Sequence, residues 1–212
     1  MNRRHKVAII IFGLGCHRYS QKDYADSHNW FSRRFGDDVE TQLLCNPSFG
    51  RALKNVSKTV CRIAPSVKDP YVIKVMQMVM SRLIAGHEVY LMGLSYGGSV
   101  AVRVAEAFAR WPGSDPANSV AVANRLRVAT FGSVYVPLPE KTRGVRVAHY
   151  MYENDVARRC NRLNPNRTDA RSPLVRWLPQ PPSQGGRRSF KAEWQSHNDY
   201  FNLLAYLVRR WM

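Results

Sequence analysis

The sequence predicts an α/β protein, with a mostly parallel sheet and helices on both of its faces. Several short runs are almost wholly apolar, as in strands that are buried on both sides. Segments with apolar residues at helical spacing alternate with these runs, which is typical of parallel strands joined by helices. In one stretch a strand passes into a helix through a tight turn, 93–97. With 212 residues, 45% of them hydrophobic, we expect a single domain over 1–212.

Five strands and four helices are predicted. The first strand ends at the glycine-rich turn 13–15. The clearest helix has Asp69 as its N-cap, Pro70 in its first position and apolar residues at helical spacing up to Gly86. Its methionines are interpreted as core residues. The predicted strands are 6–12, 39–45, 88–94, 126–131 and 145–152; the predicted helices are 21–34, 70–85, 97–111 and 198–211.

Residues 158–191 differ in composition from the rest of the chain. They hold nine basic residues against one acid, together with five prolines and a Gly-Gly pair. We interpret this segment as a long basic loop before the final helix, and not as a second domain. Because it follows the predicted acid and precedes the predicted base, it is also a candidate lid.

The chain is strongly basic, with a net charge of +17. This charge favours contact with anionic lipid headgroups, nucleic acid or acidic proteins, and it is equally compatible with a role in solubility. No run is long enough to cross a bilayer, and the basic, apolar start of the chain lacks a signal-peptide cleavage site. We therefore expect a cytoplasmic protein. The four cysteines lack metal-ligand spacing, and free thiols are the simpler interpretation, although disulfides are also compatible with an even number.

The turn 93–97 has the G-x-S-x-G pattern of a nucleophile elbow. Ser95 would sit in a strained turn, and side chains in place of Gly93 and Gly97 would collide with the neighbouring strand and helix. Active sites of parallel sheets lie at the carboxyl ends of the strands, where this turn is expected. Ser95 is therefore the candidate nucleophile.

A serine nucleophile needs a histidine base and an acid that orients the histidine. Glu153 and Asp155 both follow the strand 145–152, and Asp155 is better placed to reach across the sheet. Among six histidines, His197 gives the chain order Ser, Asp, His. His17 lies near the site but on its oxyanion side. The other four, His5, His28, His87 and His149, have adequate structural explanations in a basic tail, in helices or in a strand.

The oxyanion needs backbone N–H donors. One candidate is Tyr96, directly after the nucleophile. The second is expected from the turn after the first strand, with Leu14 preferred and Gly15 next. An ordinary strand-ending turn is equally compatible with these glycines.

Four stretches, in this order, carry a resemblance to a known family: 93–98, Ala129-Thr-Phe-Gly-Ser133, Tyr152-Glu-Asn-Asp-Val156 and Ser196-His-Asn-Asp-Tyr-Phe201. The chain resembles the α/β-hydrolases, and its second half is similar to the class 3 lipases. The resemblance implies a minimal α/β-hydrolase fold. It also implies Ser95, Asp155 and His197 as the triad of a carboxylic-ester hydrolase, acting on lipids or other acyl esters without a metal or organic cofactor.

The chain also departs from that family. Leu94 stands where class 3 lipases usually have histidine, and Tyr96 stands where they usually have leucine. The turn after the first strand is closer to α/β-hydrolases in general, and we do not expect the leading antiparallel strands of that family in these 212 residues. These differences concern the substrate and the oxyanion geometry more than the triad.

Two classes of function remain. The first is a serine esterase or lipase, whose basic segment 158–191 would contact anionic phospholipid headgroups through its arginines and through apolar residues at 174–178. Acyl transfer to an alcohol would use the same triad. The second is a hydrolase-like scaffold that binds nucleic acid or another anionic partner. The net charge motivates this second hypothesis, but no nucleic-acid motif supports it.

Overall fold

The computed structural model describes residues 5–13, 20–45, 65–111, 124–152 and 175–178, together with Asp155 and Tyr200. Within these residues the strands are β1 (Lys6–Ile11), β2 (Val39–Leu44), β3 (Glu88–Leu94), β4 (Leu126–Phe131), β5 (Arg146–Tyr152) and β6 (Val175–Leu178). The helices are α1 (Gln21–Phe35), α2 (Pro70–Ile84) and α3 (Tyr96–Arg110), with a short 3-10 helix at Pro139–Thr142.

The six strands form one sheet in the order β2-β1-β3-β4-β5-β6. All five pairings are parallel, which confirms the predicted α/β class with its parallel sheet. Strand β1 lies between β2 and β3, and its sequence is continuously apolar because Val7 to Ile11 are fully buried there. The carboxyl ends of all strands meet at one edge, which we call the carboxyl edge, and their starts form the amino edge.

Both faces of the sheet are covered. Successive strand residues point to opposite faces. Tyr150 of β5 stacks on Phe131 of β4, and Phe131 contacts Tyr200. The next residue, Met151, packs in a cluster with Tyr96 of α3. Tyr200 and α3 therefore lie on opposite sides of the sheet.

The helices begin where their capping residues predict. Ser20 and Asp23 cap α1 reciprocally: the Ser20 hydroxyl accepts from the Asp23 N–H at 3.2 Å, and the Asp23 carboxylate accepts from the Ser20 N–H at 2.8 Å. The Ser20 hydroxyl also donates to the Asp23 carboxylate at 2.7 Å, and this bond, together with the one from the Ser20 N–H, lowers the pKa of Asp23. Asp69 caps α2 by accepting from the Tyr71 N–H at 2.8 Å, as predicted. The predicted fourth helix, 198–211, lies outside the described residues except for Tyr200, which is helical.

The basic segment 158–191 contains a strand that the sequence analysis missed. Val175–Leu178 pairs in parallel with β5 as the edge strand β6. Val175, Trp177 and Leu178 were expected to contribute to a lid, and this is wrong for the three because they belong to the sheet. The rest of 158–191, including Leu174, lies outside the described residues.

The expectation of free thiols is wrong for Cys45, which is disulfide-bonded directly after β2. The other three cysteines lie outside the described residues. Spacing along the chain does not reveal which sulfur atoms come together in space, so this bond could not be predicted.

Within the part of the chain that the structure describes, we find no helix with both the length and the apolar character needed to cross a membrane.

Candidate active site

Ser95 occupies a sharp turn between β3 and α3. Its φ of 54° and ψ of −123° make it the one non-glycine residue with positive φ among the described ranges. Its N–H donates to the Phe131 carbonyl of β4 at 2.9 Å, and its carbonyl accepts from the Gly98 N–H at 3.0 Å. The neighbouring strand and the first helical turn thus hold Ser95 in a conformation that costs about 1–3 kcal/mol.

The glycines around Ser95 are required by close backbone contacts. A Cβ atom on Gly97 would lie 2.2 Å from the Ile11 carbonyl oxygen of β1, and a Cβ atom on Gly93 would lie 2.4 Å from the Gly97 carbonyl oxygen. Real Cβ atoms do not approach oxygen so closely, so α3 can start against β1 and β3 only with glycine here. This agrees with the crowding expected at Gly93 and Gly97.

The end of β1 lies directly against the nucleophile candidate. A Cβ atom on Gly13 would lie 2.6 Å from the Ser95 Cβ and 3.1 Å from its Oγ. The backbone that leads into the turn 13–15 therefore borders the Ser95 hydroxyl. Leu14 and Gly15, the expected oxyanion donors of that turn, lie outside the described residues.

Helix α3 begins directly after Ser95. Tyr96, the second expected oxyanion donor, is the first residue of α3, where the helix dipole favours negative charge. Ser95 is partly exposed, and its hydroxyl does not cap the helix. Burial, with a smaller contribution from the charge of Asp69, raises the pKa of the Tyr96 phenol to about 12, so the phenol stays neutral.

Asp155 lies at the same carboxyl edge, just beyond β5. Its side chain is 2% exposed, and its N–H donates to the Tyr152 carbonyl at 3.0 Å in a tight turn. Since β4 separates β3 from β5, the strand bearing Ser95 and the strand bearing Asp155 are about 10 Å apart.

Tyr200 holds the Asp155 carboxylate. Its hydroxyl donates to Asp155 Oδ2 and accepts from the Tyr152 N–H at 2.8 Å, while its ring stacks on Tyr152 with the centroids 4.7 Å apart. Burial and the Asp155 charge raise the pKa of Tyr200 well above its usual value, so the phenol keeps the proton that it donates. The sequence analysis named Tyr200 only as part of the stretch 196–201 and of the last predicted helix, and it missed this role.

The described histidines have other roles than that of a base beside Ser95. His149 is buried in β5, where its Nδ1 lies 2.7 Å from the Thr130 hydroxyl. Burial lowers its pKa to about 3, so it stays neutral. His28 Nε2 lies 3.0 Å from the Thr41 carbonyl, and the rings of His5 and His87 meet at the amino edge. His197 and His17 lie outside the described residues, as does the alternative acid Glu153.

No group of three or more His, Cys, Asp or Glu side chains that could hold a metal ion occurs among the described residues. Among the described residues, the polar groups at the carboxyl edge include the Ser95 hydroxyl, the Asp155 carboxylate and the backbone N–H groups at the start of α3. Such groups can serve a nucleophilic acyl reaction.

Comparisons with known proteins give remote structural likenesses. No protein-family profile matches the chain, and no curated protein matches it in sequence. Among solved structures, the chain is similar to the RedJ thioesterase of the prodiginine biosynthetic pathway in Streptomyces coelicolor, with 14% identity, a TM-score of 0.45, and coverage of 97% of this chain and 89% of that one. It is also similar to LpqC, a poly(3-hydroxybutyrate) depolymerase from Bordetella parapertussis, with 15% identity, a TM-score of 0.40, and coverage of 96% and 68%.

Neither of these two structures is a class 3 lipase. At such identities and scores the likenesses carry no weight for substrate or mechanism. The fold assignment therefore rests on the strand order and the parallel pairings themselves.

Proposed function

We propose that the chain is a serine hydrolase of carboxylic esters. The observation that carries the proposal is the setting of Ser95: a strained residue between strand and helix, partly exposed, with a hydroxyl that borders Gly13. Strained backbone conformations of this kind are concentrated at functional sites. In a nucleophile elbow the strained turn makes the serine hydroxyl project from the end of the sheet towards the reacting group. The Ser95 hydroxyl makes no capping hydrogen bond to helix α3.

In the proposed mechanism the Ser95 Oγ attacks the ester carbonyl carbon while His197 accepts the hydroxyl proton. Asp155, fixed by Tyr200, orients the histidine and stabilises its cationic form. The N–H of Tyr96 and an N–H of the turn 13–15, from Leu14 or Gly15, stabilise the oxyanion. His197 then protonates the leaving alcohol, and a water molecule releases the acyl group by the same steps in reverse.

The choice of His197 is supported by elimination. Four of the six histidines are described, and each of them is occupied elsewhere or lies at the amino edge. His197 precedes Tyr200 by three residues, and Tyr200 contacts Asp155, so the chain passes close to the acid at this point. His17 is the alternative, because it follows the turn that borders Ser95.

The substrate is proposed to be an acyl ester, with lipid or phospholipid esters as one class, since the arginines of 158–191 could pair with anionic headgroups. A single domain and a cytoplasmic location remain predictions. The disulfide at Cys45 is unusual for a reducing compartment, so the location in particular needs a direct test.

A fluorophosphonate probe tests the proposal, because it reacts only with an activated serine. We expect the wild type to be labelled, and we expect Ser95→Ala and His197→Ala to lose labelling and hydrolysis of p-nitrophenyl esters. Ser81→Ala is the matched control, since Ser81 is an exposed helical serine whose hydroxyl donates to the Met78 carbonyl. His17→Ala should retain labelling. Labelling that persists in Ser95→Ala would refute the proposal. Loss of labelling in His17→Ala but not in His197→Ala would identify His17 as the base.

A further inference from the structure

Strand β2 is the last strand of the sheet, and among the described strands β1 is its one neighbour. The outer edge of such a strand presents N–H and C=O groups that can pair with another extended chain. The strand at the other end of the sheet, β6, has four residues and carries the exposed Arg176, and short, charged edges resist such pairing. Strand β2 has six residues, so its outer edge needs protection of another kind.

The backbone groups of Thr41 and Leu43 point to this outer edge. The Phe12 N–H, directly after β1, donates to the Leu44 carbonyl at 2.9 Å, so Leu44 directs its backbone groups towards β1. Along a strand, the N–H and C=O groups of successive residues point to alternate sides. Leu43 and, two residues earlier, Thr41 therefore direct theirs away from β1, where a further strand would pair.

Two side chains of α1 occupy both of these outward carbonyls. The Tyr24 hydroxyl donates to the Leu43 carbonyl at 2.7 Å, and His28 Nε2 lies 3.0 Å from the Thr41 carbonyl oxygen. Because a carbonyl oxygen only accepts, His28 Nε2 must carry the hydrogen of this bond. Burial raises the pKa of Tyr24, so the phenol keeps the proton that it donates. We call Tyr24 and His28 the edge cap.

The edge cap matches the spacing of the strand that it covers. Tyr24 and His28 are four residues apart and lie on one face of α1. Four helical residues rise about 6 Å and two strand residues about 7 Å, so one helical turn reaches both Leu43 and Thr41. A hydrogen bond from the Cys45 N–H, the next outward group, partly opposes the rise in the pKa of Tyr24. The Tyr24 hydroxyl thus meets one carbonyl and one N–H of the edge, as a residue of a neighbouring strand does.

A surface cavity of about 560 Å³ borders the edge cap, and both of its side chains line this cavity. His28 is exposed and Tyr24 is half-buried, so open space lies directly outside the two hydrogen bonds. Loss of the hydroxyl and of the imidazole would therefore open the two carbonyls to solvent and to another chain.

We propose that the edge cap prevents a second copy of this chain from pairing with the outer edge of β2. In two copies related by a twofold axis, the two β2 strands would run antiparallel, and the N–H groups of each would need the outward carbonyls of the other. While Tyr24 and His28 bond those carbonyls, pairing has to break both hydrogen bonds, which offsets its gain. This proposal concerns the edge of the sheet and is independent of the proposed hydrolase activity.

Sedimentation velocity over a range of protein concentrations tests this proposal. We expect the wild type to stay monomeric and the double variant Tyr24→Phe, His28→Ala to associate, with a dissociation constant at least about tenfold lower than that of the wild type. Tyr24→Phe keeps the ring contact with Phe12, at 6.2 Å between centroids, and removes only the hydroxyl. His28→Gln should behave like the wild type, because its amide can still donate to the Thr41 carbonyl.

The matched control is the double variant Tyr90→Phe, His87→Ala. It removes a hydroxyl that donates to Glu88 at 3.1 Å and a ring that contacts His5, both away from the outer edge of β2, and it should stay monomeric. Adding Thr41→Pro to the double variant of the edge cap should restore the monomer, because proline removes an outward N–H and leaves the pairing with β1 intact. The Thr41 hydroxyl has no hydrogen-bond partner in the described part of the chain, so this substitution breaks no side-chain bond.

The proposal is overturned if the edge-cap double variant, shown by circular dichroism to be folded, is as monomeric as the wild type. Equal association of the control, or association that Thr41→Pro leaves unchanged, would also overturn it, as would a wild type that already associates and loses this on Thr41→Pro. Should the double variant not fold, His28→Ala alone decides the question, because His28 is exposed. This single variant should lower the dissociation constant by about threefold, and an unchanged constant would then overturn the proposal.

Discussion

The Tyr200 hydroxyl bonds two groups that the acid site depends on: it donates to the Asp155 carboxylate and accepts from the Tyr152 N–H. Tyr200 is 1% exposed, so neither group can exchange this partner for bulk water. One phenol thus fixes the end of β5 and the carboxylate that follows it. If Asp155 orients the catalytic base, Tyr200 is a positioning residue for the reaction.

Tyr200→Phe should lower both stability and turnover. The ring packing on Tyr152 and Phe131 is kept, but a buried N–H and a buried carboxylate each lose a partner, at a cost of about 1–3 kcal/mol. We expect kcat for ester hydrolysis to fall by at least about tenfold with little change in KM, because the acid loses its fixed orientation. Steady-state kinetics at a temperature where the variant is folded measure this.

Tyr135→Phe is the matched control for that experiment. Tyr135 is also fully buried, and its hydroxyl donates to Glu106 at 2.7 Å, away from Asp155. It should lose stability comparably and keep kcat. Equal loss of kcat in both variants would show that Tyr200 acts only through general stability.

Gly97→Ala should disrupt the fold around the elbow. Its Cβ would overlap the Ile11 carbonyl oxygen, and because both atoms are set by backbone no side chain can move aside. We expect a loss of about 3 kcal/mol or more in the free energy of unfolding, measured by urea denaturation. In Gly144→Ala the new Cβ meets no atom within 4 Å, but φ is +88°, so about 1–2 kcal/mol should be lost. Similar losses in both variants would contradict the role of the close contact.

Glu106→Gln should destabilise the chain without affecting chemistry at Ser95. Glu106 is fully buried on α3, pairs with Arg103 at 2.6 Å and accepts from Tyr135. Removing its charge leaves Arg103 without its counterion, which costs about 3 kcal/mol for a largely buried pair. Thermal unfolding checks this, with the exposed Glu140→Gln as control. Unchanged stability would mean that solvent already stabilises the positive charge of Arg103 without Glu106.

His149 should make stability depend on pH. Burial lowers its pKa from 6.5 to about 3, so between these values the unfolded chain binds a proton that the folded chain does not. Its contribution to stability is complete above pH 6.5 and is lost progressively as the pH falls towards 3. We expect urea midpoints to drop between pH 7 and pH 4, and to drop less in His149→Gln. Parallel pH profiles for the two proteins would exclude His149 as the source.

Much of this fold could be predicted from sequence, because apolar runs, helical spacing and caps act locally. The five strands 6–12, 39–45, 88–94, 126–131 and 145–152 and the helix capped by Asp69 are confirmed within a residue or two. Strand β6 was missed because four residues in an Arg- and Pro-rich segment form a strand only through the open edge of β5. The partner of the Tyr200 hydroxyl was missed for a similar reason: Asp155 is 45 residues away in the chain. The catalytic roles of Ser95, Asp155 and His197 stay predictions.

The all-parallel sheet also determines the order in which the chain can be completed during synthesis. Of the described strands, β1 is made first. Strand β2 follows soon and pairs with one side of β1. The other side of β1 pairs with β3, where Glu88 is opposite Lys6. Pairing β1 with β3 closes a loop of the whole chain between the two strands, which is entropically costly. Until β3 pairs, β1 lacks the hydrogen-bond partners on one of its two sides, although five of its residues are fully buried in the folded protein. The strand that is made earliest is therefore enclosed late. Newly made chains would be most prone to aggregate, and most dependent on chaperones, before residue 94 has emerged.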